Sequence, residues 1–253
     1  IQTKAHSILF DMGPDNTFLD NAKHLGVDLS KTDFGVISHG HYDHGGGLPW
    51  FQKINRTATT IMTQDALNGQ FYAQHPGSSP KFIGLDYKAI DQGRCRPIES
   101  DTKLSDTLTI FTNFSKQGFL PDGNKNLFRQ TSDNDLIQDE FSHELALLVW
   151  EGETSVLFTG CAHSGISNMV NTVLERTGLD HIDYVIGGFH LFNPLTKKTE
   201  SETRLAEIVK ELNRFTHTRF YTGHCTGPDA AAFLKKSLSC PISVLSTGTR
   251  IHI

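Results

Sequence analysis

Four short apolar runs along the chain are each followed by glycine and histidine residues. The runs cover residues 34–37, 156–160, 184–189 and 220–223, and each has the length and composition of a buried β-strand. Side chains that follow neighbouring strands at the same edge of a sheet converge in space. We therefore expect the histidines at these four positions to share one site.

Amphipathic helices are predicted between these strands. Apolar residues recur at helical spacing within residues 15–25, 166–174 and 205–212. Thr199 and Glu202 resemble a capping box for the third helix. Thr226 is the predicted N-cap, with Pro228 in the first turn, of a last helix that ends near Leu238. We interpret the apolar stripes as core packing, and the alternation of strands and helices predicts a layered α/β fold.

The segment of residues 115–142 interrupts this alternation. It follows a predicted strand at residues 106–114 and is polar, with scattered aromatic residues. A connection of this length is typical of a lid, a binding loop or a disordered insertion. In one interpretation its aromatic side chains cover an apolar part of a substrate. In the other they anchor the loop to the core or join a dimer interface. Residues 1–253, which contain no repeat or clear linker, are predicted to form a single domain with this segment as a lid or insertion.

Composition and charge narrow the class of protein. With 253 residues, of which 37% are hydrophobic and 20% charged, the chain matches a globular protein with a substantial core. A net charge of −5 argues against nucleic acid as a partner. No apolar run approaches the roughly 20 residues that span a bilayer. We therefore expect a small-molecule substrate and no membrane partner, and a homo-oligomer is left open.

The first residues and the cysteines bear on location. Residues 1–10 match neither a signal peptide nor a transit peptide, and because they begin almost inside a strand, we expect the natural chain to start earlier. Cys95, Cys161, Cys225 and Cys240 lack the spacing of a disulfide framework. A reducing cytoplasm is therefore the expected location.

The stretch after the first apolar run carries the strongest chemical signal. His39, His41, Asp43 and His44 form the pattern H-x-H-x-D-H, and three glycines follow. A strand that ends in such a cluster delivers imidazoles and a carboxylate to one point, and the glycines let the backbone turn sharply. This mixture of ligands favours Zn²⁺, Mn²⁺ or Fe²⁺ over Ca²⁺ or Mg²⁺. The alternative is a solvated, histidine-rich turn, but the clustering of four potential ligands favours a metal site.

The same pattern resembles the signature of the metallo-β-lactamase superfamily of hydrolases. Further motifs resemble one of its subfamilies, which is named after a dihydropterin ribofuranosylaminobenzene 5′-phosphate synthase. In chain order the motifs are ILFDMG (8–13), SHGHYDHGGGL (38–48), ELAL (144–147), FTGCAHSGI (158–166), IGGFHL (186–191) and GHCTG (223–227). The resemblance covers most of the chain. It implies a four-layer αββα sandwich with two divalent metal ions, for which zinc is the first expectation and manganese or iron the alternatives.

The resemblance also implies roles for individual residues. The implied ligands are His39, His41 and His163 for one metal ion, and Asp43, His44 and His224 for the other. Many superfamily members have a bridging aspartate at the position of Cys161, whose thiolate could bridge the metals, lie beside them, or only pack. His190 matches a subfamily residue without a clear ligand role, and we assign it to substrate contact or proton transfer.

Such a site implies a reaction. Two adjacent cations share one water, hold the resulting hydroxide for attack, and polarise the scissile carbonyl or phosphoryl group. The turn at residues 224–227, which includes Thr226, offers backbone N–H groups to an anion. We therefore expect an enzyme, a metal-dependent hydrolase whose dinuclear metal-bound hydroxide acts on an anionic, phosphate-containing small molecule. Asp43 and His190 are its expected catalytic residues, and His190 and Thr226 its expected substrate-binding residues. The alternatives are the dihydropterin-type synthase activity of the subfamily and a non-catalytic, metal-stabilised binding protein.

Overall fold

The chain forms two compact units in the computed structural model, which describes residues 1–253. The N-terminal unit comprises Ile1–Asp101 and Leu127–Leu145, and the C-terminal unit comprises Thr102–Asn126 and Ala146–Ile253. Each unit therefore takes one segment from the middle of the chain. The single domain expected over residues 1–253 stays a prediction.

Seventeen strands make up the sheets of the two units. In chain order they are β1 (Ile8–Phe10), β2 (Phe34–Val36), β3 (Thr59–Thr63), β4 (Phe71–Ala73), β5 (Lys81–Phe82), β6 (Cys95–Ile98), β7 (Thr102–Ser105), β8 (Leu108–Thr112), β9 (Leu127–Gln130), β10 (Leu136–Gln138), β11 (Leu145–Glu151), β12 (Thr154–Thr159), β13 (Tyr184–Gly187), β14 (Phe192–Asn193), β15 (Lys198–Thr199), β16 (Arg219–Thr222) and β17 (Ile242–Val244).

Seven α-helices accompany the strands. They are α1 (Thr17–His24), α2 (Tyr42–Gly45), α3 (Leu48–Ile54), α4 (Gln64–Asn68), α5 (Ile166–Thr177), α6 (Glu202–Leu212) and α7 (Pro228–Ser237). Short 3-10 helices occur at Leu29–Lys31, Gln92–Arg94, Asp122–Asn126 and His224–Thr226. None of the helices combines the length and the apolar character needed to cross a membrane.

The N-terminal unit is built on a parallel sheet with the strand order β1-β2-β3-β6. The apolar faces of α1, α3 and α4 pack in one core with Ile37 and Met62. A second, antiparallel sheet has the order β10-β9-β4-β5. Because β1 and β2 are parallel neighbours, the residues that follow them lie at the same edge of the sheet. The H-x-H-x-D-H motif begins at that edge.

The C-terminal unit contains a seven-stranded sheet with the order β17-β16-β13-β12-β11-β8-β7. Within it β12, β13, β16 and β17 run parallel to one another, so their carboxyl ends share one edge. The apolar stripes of α5, α6 and α7 pack against this sheet. The helices predicted within residues 15–25, 166–174 and 205–212 and the strands predicted at the four apolar runs are confirmed.

Two predicted helix caps are wrong. The N-cap of α6 is Ser201, whose hydroxyl accepts a hydrogen bond from the N–H of Arg204, whereas Thr199 pairs in the β14–β15 ribbon. The N-cap of α7 is Gly227, at a φ of 74°. Thr226 does not cap because its hydroxyl is hydrogen-bonded to Thr222. Thr199 is thus held by strand pairing, and the hydroxyl of Thr226 is held by hydrogen bonds with Thr222 and Phe189. In both cases these interactions compete with capping.

The polar segment of residues 115–142 contains regular structure. It includes the 3-10 helix at Asp122–Asn126 and the antiparallel pair β9–β10, and β9 also pairs with β4. Phe119 packs in the core of the C-terminal unit, and Phe141 is buried. These two aromatic side chains therefore anchor the segment. A lid function for it stays a prediction.

Asn55, at the C-terminal end of α3, provides a test of packing in the N-terminal unit. Its buried side chain donates to the carbonyl groups of Leu29 and Thr32 and accepts from the N–H of Ala58. Because Asn55→Ala removes these buried hydrogen bonds, we expect the free energy of unfolding to fall by about 1–3 kcal/mol. Urea denaturation followed by circular dichroism measures the change, with the exposed Asn68→Ala as the control. Equal stability of Asn55→Ala and the unmodified protein would contradict this account.

Candidate metal centre

The H-x-H-x-D-H motif begins just after β2 and continues into the short helix α2. His39, His41 and His44 are buried, while the side chain of Asp43 is 39% exposed. The ring centroid of His39 lies 4.6 Å from that of His41 and 4.1 Å from that of His44. The structure thus brings three imidazoles of the predicted ligand set together. Asp43 is next to them, with one carboxylate oxygen 3.7 Å from Nε2 of His44.

A hydrogen-bond network orients two of these imidazoles. Nδ1 of His44 lies 2.6 Å from a carboxylate oxygen of Asp11, and Nδ1 of His39 lies 2.9 Å from the hydroxyl of Ser38. The Ser38 hydroxyl and N–H each donate to Asp11 at 2.8 Å. A carboxylate only accepts, so His44 carries its proton on Nδ1, and the Ser38 hydroxyl is left to accept from His39. We therefore expect Nε2 of each ring to bind a metal.

His41 is held in its neutral form. Burial, reinforced by nearby His143 and outweighing the opposite effect of Asp43, lowers the pKa of His41 to about 3. The ring is therefore unprotonated at neutral pH, which is the state that coordinates a metal. Beside it lie Asp139 and His143, and the potential ligand atoms of these three residues are all within 4.8 Å of one another.

His163 follows β12 in the C-terminal unit and is also held through Nδ1. This nitrogen lies 3.1 Å from the side-chain oxygen of Asn124, whose amide donates in turn to the His163 carbonyl at 2.8 Å. The ring is buried and its centroid lies 4.2 Å from that of His190. Asn124 therefore does for His163 what Asp11 does for His44, and again Nε2 is the nitrogen expected to face a metal.

His190 follows β13 and borders a cavity of about 220 Å³. The residue is 7% exposed. A Cβ atom on Gly123, which also lines the cavity, would lie 2.8 Å from Nε2 of His190. The glycine thus leaves that nitrogen accessible. Asp122 and Glu200 are among the other lining residues.

His224 follows β16 in the C-terminal unit and is exposed on a 3-10 turn. Thr226 is buried, and its hydroxyl contacts Thr222 and accepts the N–H of Phe189. The N–H groups of Thr226 and Gly227 donate within the turn, so they already have acceptors of their own. A substrate contact by Thr226 stays a prediction.

The backbone at the ends of the site-bearing strands is left-handed. Four residues there have positive φ: Asp11 (57°), Ala162 (55°), His190 (50°) and His224 (50°). Such angles reverse the chain abruptly and are uncommon for residues other than glycine and asparagine. The side chains at these positions are therefore placed by tight turns rather than by extended loops.

Two thiols lie beside His190 in the C-terminal unit. Ligand atoms of Cys161, His190 and Cys225 are all within 4.8 Å of one another. Burial alone would raise the pKa of the Cys225 thiol, but hydrogen bonds with Cys161 and His190 and the charges of His190 and His224 outweigh it, so this pKa lies well below its usual range. Whether Cys161 bridges metals stays open.

The donor sets fit a divalent cation of the zinc, manganese or iron kind. The N-terminal unit offers three buried imidazoles and a carboxylate, and the C-terminal unit offers imidazoles and thiols. Oriented neutral imidazoles suit these metals better than they suit Ca²⁺ or Mg²⁺. The division of the ligands between two ions stays a prediction.

Several residues of the site were not identified from the sequence. They are Asp11, Ser38, Asn124, Asp139 and His143. Asp11 and Ser38 lie inside motifs that carried the family resemblance, which was a usable signal. Asn124, Asp139 and His143 lie in the polar segment and next to β11, where no pattern marked them.

Comparison with known proteins agrees with this geometry. A family model described as the metallo-beta-lactamase superfamily matches residues 1–121. The structure of Tm1679, a metal-dependent hydrolase of the beta-lactamase superfamily, matches with a TM-score of 0.80 at 28% identity, over 98% of this chain and 89% of its own. The predicted α/β metallo-β-lactamase fold is confirmed.

Two relatives from Methanocaldococcus jannaschii are also similar. One is named 7,8-dihydropterin-6-methyl-4-(beta-D-ribofuranosyl)-aminobenzene-5'-phosphate synthase and is 26% identical, over 87% of this chain and 75% of its own length. The other, Uncharacterized protein MJ0448, is 28% identical, over 90% of this chain and 82% of its own length. Because one relative is named a synthase and the structural relative a hydrolase, the reaction of this chain is a matter for proposal.

The role of Asp11 can be tested directly. Asn tolerates the left-handed backbone at this position, but the Asp11→Asn amide offers one acceptor oxygen where the carboxylate has two. We expect zinc affinity to fall roughly 10–100-fold, as it does when a partner of a ligating histidine is lost. Competition with a chromophoric chelator measures it. Asp33→Asn is the matched control, since Asp33, which precedes β2, accepts the N–H of Ser7 and does not touch the motif. Unchanged zinc affinity in Asp11→Asn would refute the orienting role.

Proposed function

We propose that this protein is a metal-dependent hydrolase with a two-ion site that acts on an anionic, phosphate-containing small molecule. One observation carries the proposal. His39, His44 and His163, which lie at two different strand ends, are each tied through Nδ1 to a neighbouring oxygen. This is the arrangement that presents Nε2 to a metal. The similarity to Tm1679 supports hydrolysis.

The proposed ligands keep the division implied by the sequence motifs. His39, His41 and His163 would hold one ion, and Asp43, His44 and His224 the other. The order of the motifs along the chain and the superfamily match support this division. Three protein ligands for each ion leave positions for water and substrate, which a catalytic site requires. Zinc is the proposed metal, and the four free cysteines support a reducing, cytoplasmic location.

The residues of the chain then have distinct tasks. The bound ions would activate water and stabilise the charge that develops on the substrate. Asp43 supplies the anionic ligand, which offsets the positive charge of the ions. His190 has an accessible Nε2 beside the 220 Å³ cavity, and it would contact the substrate or transfer a proton there.

A synthase activity like that of the named relative is the second candidate function. The compound in its name carries a 5'-phosphate, which supports an anionic, phosphate-containing substrate for this chain under either reaction. A non-catalytic binding protein is the third candidate. Turnover of a panel of phosphate esters by protein reconstituted with zinc, manganese or iron separates an enzyme from a binder. Hydrolysis without a second organic substrate separates the hydrolase from a synthase.

Elemental analysis tests the two-ion site independently of turnover. Reconstituted protein is expected to contain two equivalents of metal per chain. One tightly held equivalent, with no second site at millimolar zinc, would contradict the proposed division of ligands.

Asp43→Ala is expected to abolish hydrolysis while the protein remains folded. Loss of the anionic ligand raises the net charge of the site and weakens the second ion, but the hydrogen bonds of His39 and His44 are retained. Turnover, metal content and circular dichroism are measured together, and Asp20→Ala, in the first turn of α1, is the control. Near-normal turnover by Asp43→Ala with both ions bound would show that this role is wrong.

His190→Ala distinguishes three roles of the least certain residue. If His190 contacts substrate or transfers a proton, kcat should fall by roughly 10²–10⁴ with both ions retained. This is the result we expect. A metal ligand would lose metal instead, and a structural residue would lose thermal stability while activity per folded molecule holds. The exposed His217→Ala, in the same unit, is the control.

A further inference from the structure

A buried group in the N-terminal unit comprises His41, Asp139 and His143. Their potential ligand atoms lie within 4.8 Å of one another, and all three residues are buried. His41 already has a place in the proposed metal centre. Asp139 and His143 have none. Their arrangement would suit either another metal ion or a network that supports the first, and hydrogen bonding decides between the two.

Both nitrogens of His143 are already engaged. The N–H of Gly40 donates to Nδ1 of His143 at 2.9 Å, so Nδ1 is an acceptor and carries no proton. Nε2 lies 3.0 Å from a carboxylate oxygen of Asp139, and because the carboxylate can only accept, the imidazole proton is on Nε2. A metal ion bound to either nitrogen would have to break one of these buried hydrogen bonds. The arrangement therefore favours a supporting network over another metal site.

Asp139 and His143 are themselves held by their surroundings. The second carboxylate oxygen of Asp139 accepts the N–H of Phe141 at 2.7 Å. The hydroxyl of Thr63 donates to the carbonyl of His143 at 3.0 Å, and the His143 ring lies against Phe71 with centroids 4.0 Å apart. The His143 imidazole is therefore held in place, and its Nδ1 is a fixed hydrogen-bond acceptor.

The fixed acceptor faces the peptide between two proposed ligands. Gly40 links His39 to His41, and its N–H is the group that His143 binds. The ring of Phe71 packs closely against Gly40 as well, since a Cβ atom on Gly40 would lie 2.3 Å from that ring. The ring centroid of His41 lies 5.3 Å from that of His143. The peptide that sets the relative orientation of His39 and His41 is therefore fixed on two sides.

We propose that His143, held by Asp139, is a positioning residue for the metal centre, which fixes the Gly40 peptide and thereby the angle between the His39 and His41 imidazoles. The proposal rests on the proposed function in that it takes these two histidines as ligands of one ion. It gives the polar segment before β11 a task in metal binding, since Asp139 comes from that segment.

The first test replaces His143 by phenylalanine. His143→Phe keeps a planar ring against Phe71 but removes the acceptor for Gly40 and the donor for Asp139. We expect zinc affinity, measured by chelator competition, to fall roughly 10–100-fold. The visible absorption of the cobalt(II) form should change, because it reports ligand geometry. His143→Asn returns an acceptor oxygen near the position of Nδ1 and should recover part of the affinity.

A matched control separates positioning from stability. Asn55→Ala removes buried hydrogen bonds in the same unit without touching the motif, and it should retain full zinc affinity and the cobalt spectrum. If His143→Phe melts earlier yet binds zinc as tightly as the unmodified protein, His143 is only structural and the proposal is overturned. Loss of a whole equivalent of metal, with the cobalt spectrum of the remaining ion unchanged, would instead make His143 a ligand of the lost ion, which also overturns the proposal.

A measurement on metal-free protein keeps the proposal independent of catalysis and of variant folding. Nitrogen-15 NMR should show His143 as the neutral tautomer protonated at Nε2, with a scalar coupling across the hydrogen bond from the Gly40 amide to Nδ1. A proton on Nδ1 would overturn the proposal even if the protein proves to be an active hydrolase. The expected tautomer together with absent turnover would count against the proposed function alone.

Discussion

The carboxylate of Asp11 makes the hydrogen bonds on which the geometry of the H-x-H-x-D-H motif depends. It accepts three hydrogen bonds, from the N–H and hydroxyl of Ser38 and from Nδ1 of His44. These bonds exist because β1 and β2 are parallel neighbours in register, with Phe10 opposite Val36, so the residues after each strand meet. The strand pairing thus determines the tautomer of His44, and through Ser38 the orientation of His39. Without this carboxylate, Nδ1 of His44 and the hydroxyl of Ser38 would lose the acceptor that they share.

The sequence predicted the parts of the fold that have a strong local pattern. The apolar runs of β2, β12, β13 and β16 and the stripes of α5 and α6 are regular enough to be identified alone, and histidines placed after parallel strands converge for topological reasons. The caps failed because Thr199 and Ser201 are both good cap residues, and only the pairing of β14 with β15 decides between them. Asn124 and His143 could not be found, since each acts on a residue at least 39 positions away.

The C-terminal unit offers a different set of potential ligands from that of the N-terminal unit. Where many superfamily members have a bridging aspartate, this chain has Cys161, and the thiol of Cys225 is close to it. Thiolates are softer ligands than carboxylates and favour zinc and iron over manganese. A Cys161 thiolate that coordinated an ion would therefore favour zinc or iron at that position.

The left-handed residues at the strand ends have a consequence for how this protein can be changed. Each positive φ outside glycine carries a conformational cost of about 1–3 kcal/mol that the surrounding structure has to offset. A laboratory selection for heat resistance alone would favour glycine or asparagine at Ala162, His190 and His224. Two of these are proposed functional residues. Thermal robustness and the metal chemistry would therefore compete for the same positions, and selection schemes for this scaffold would have to retain a metal-dependent screen.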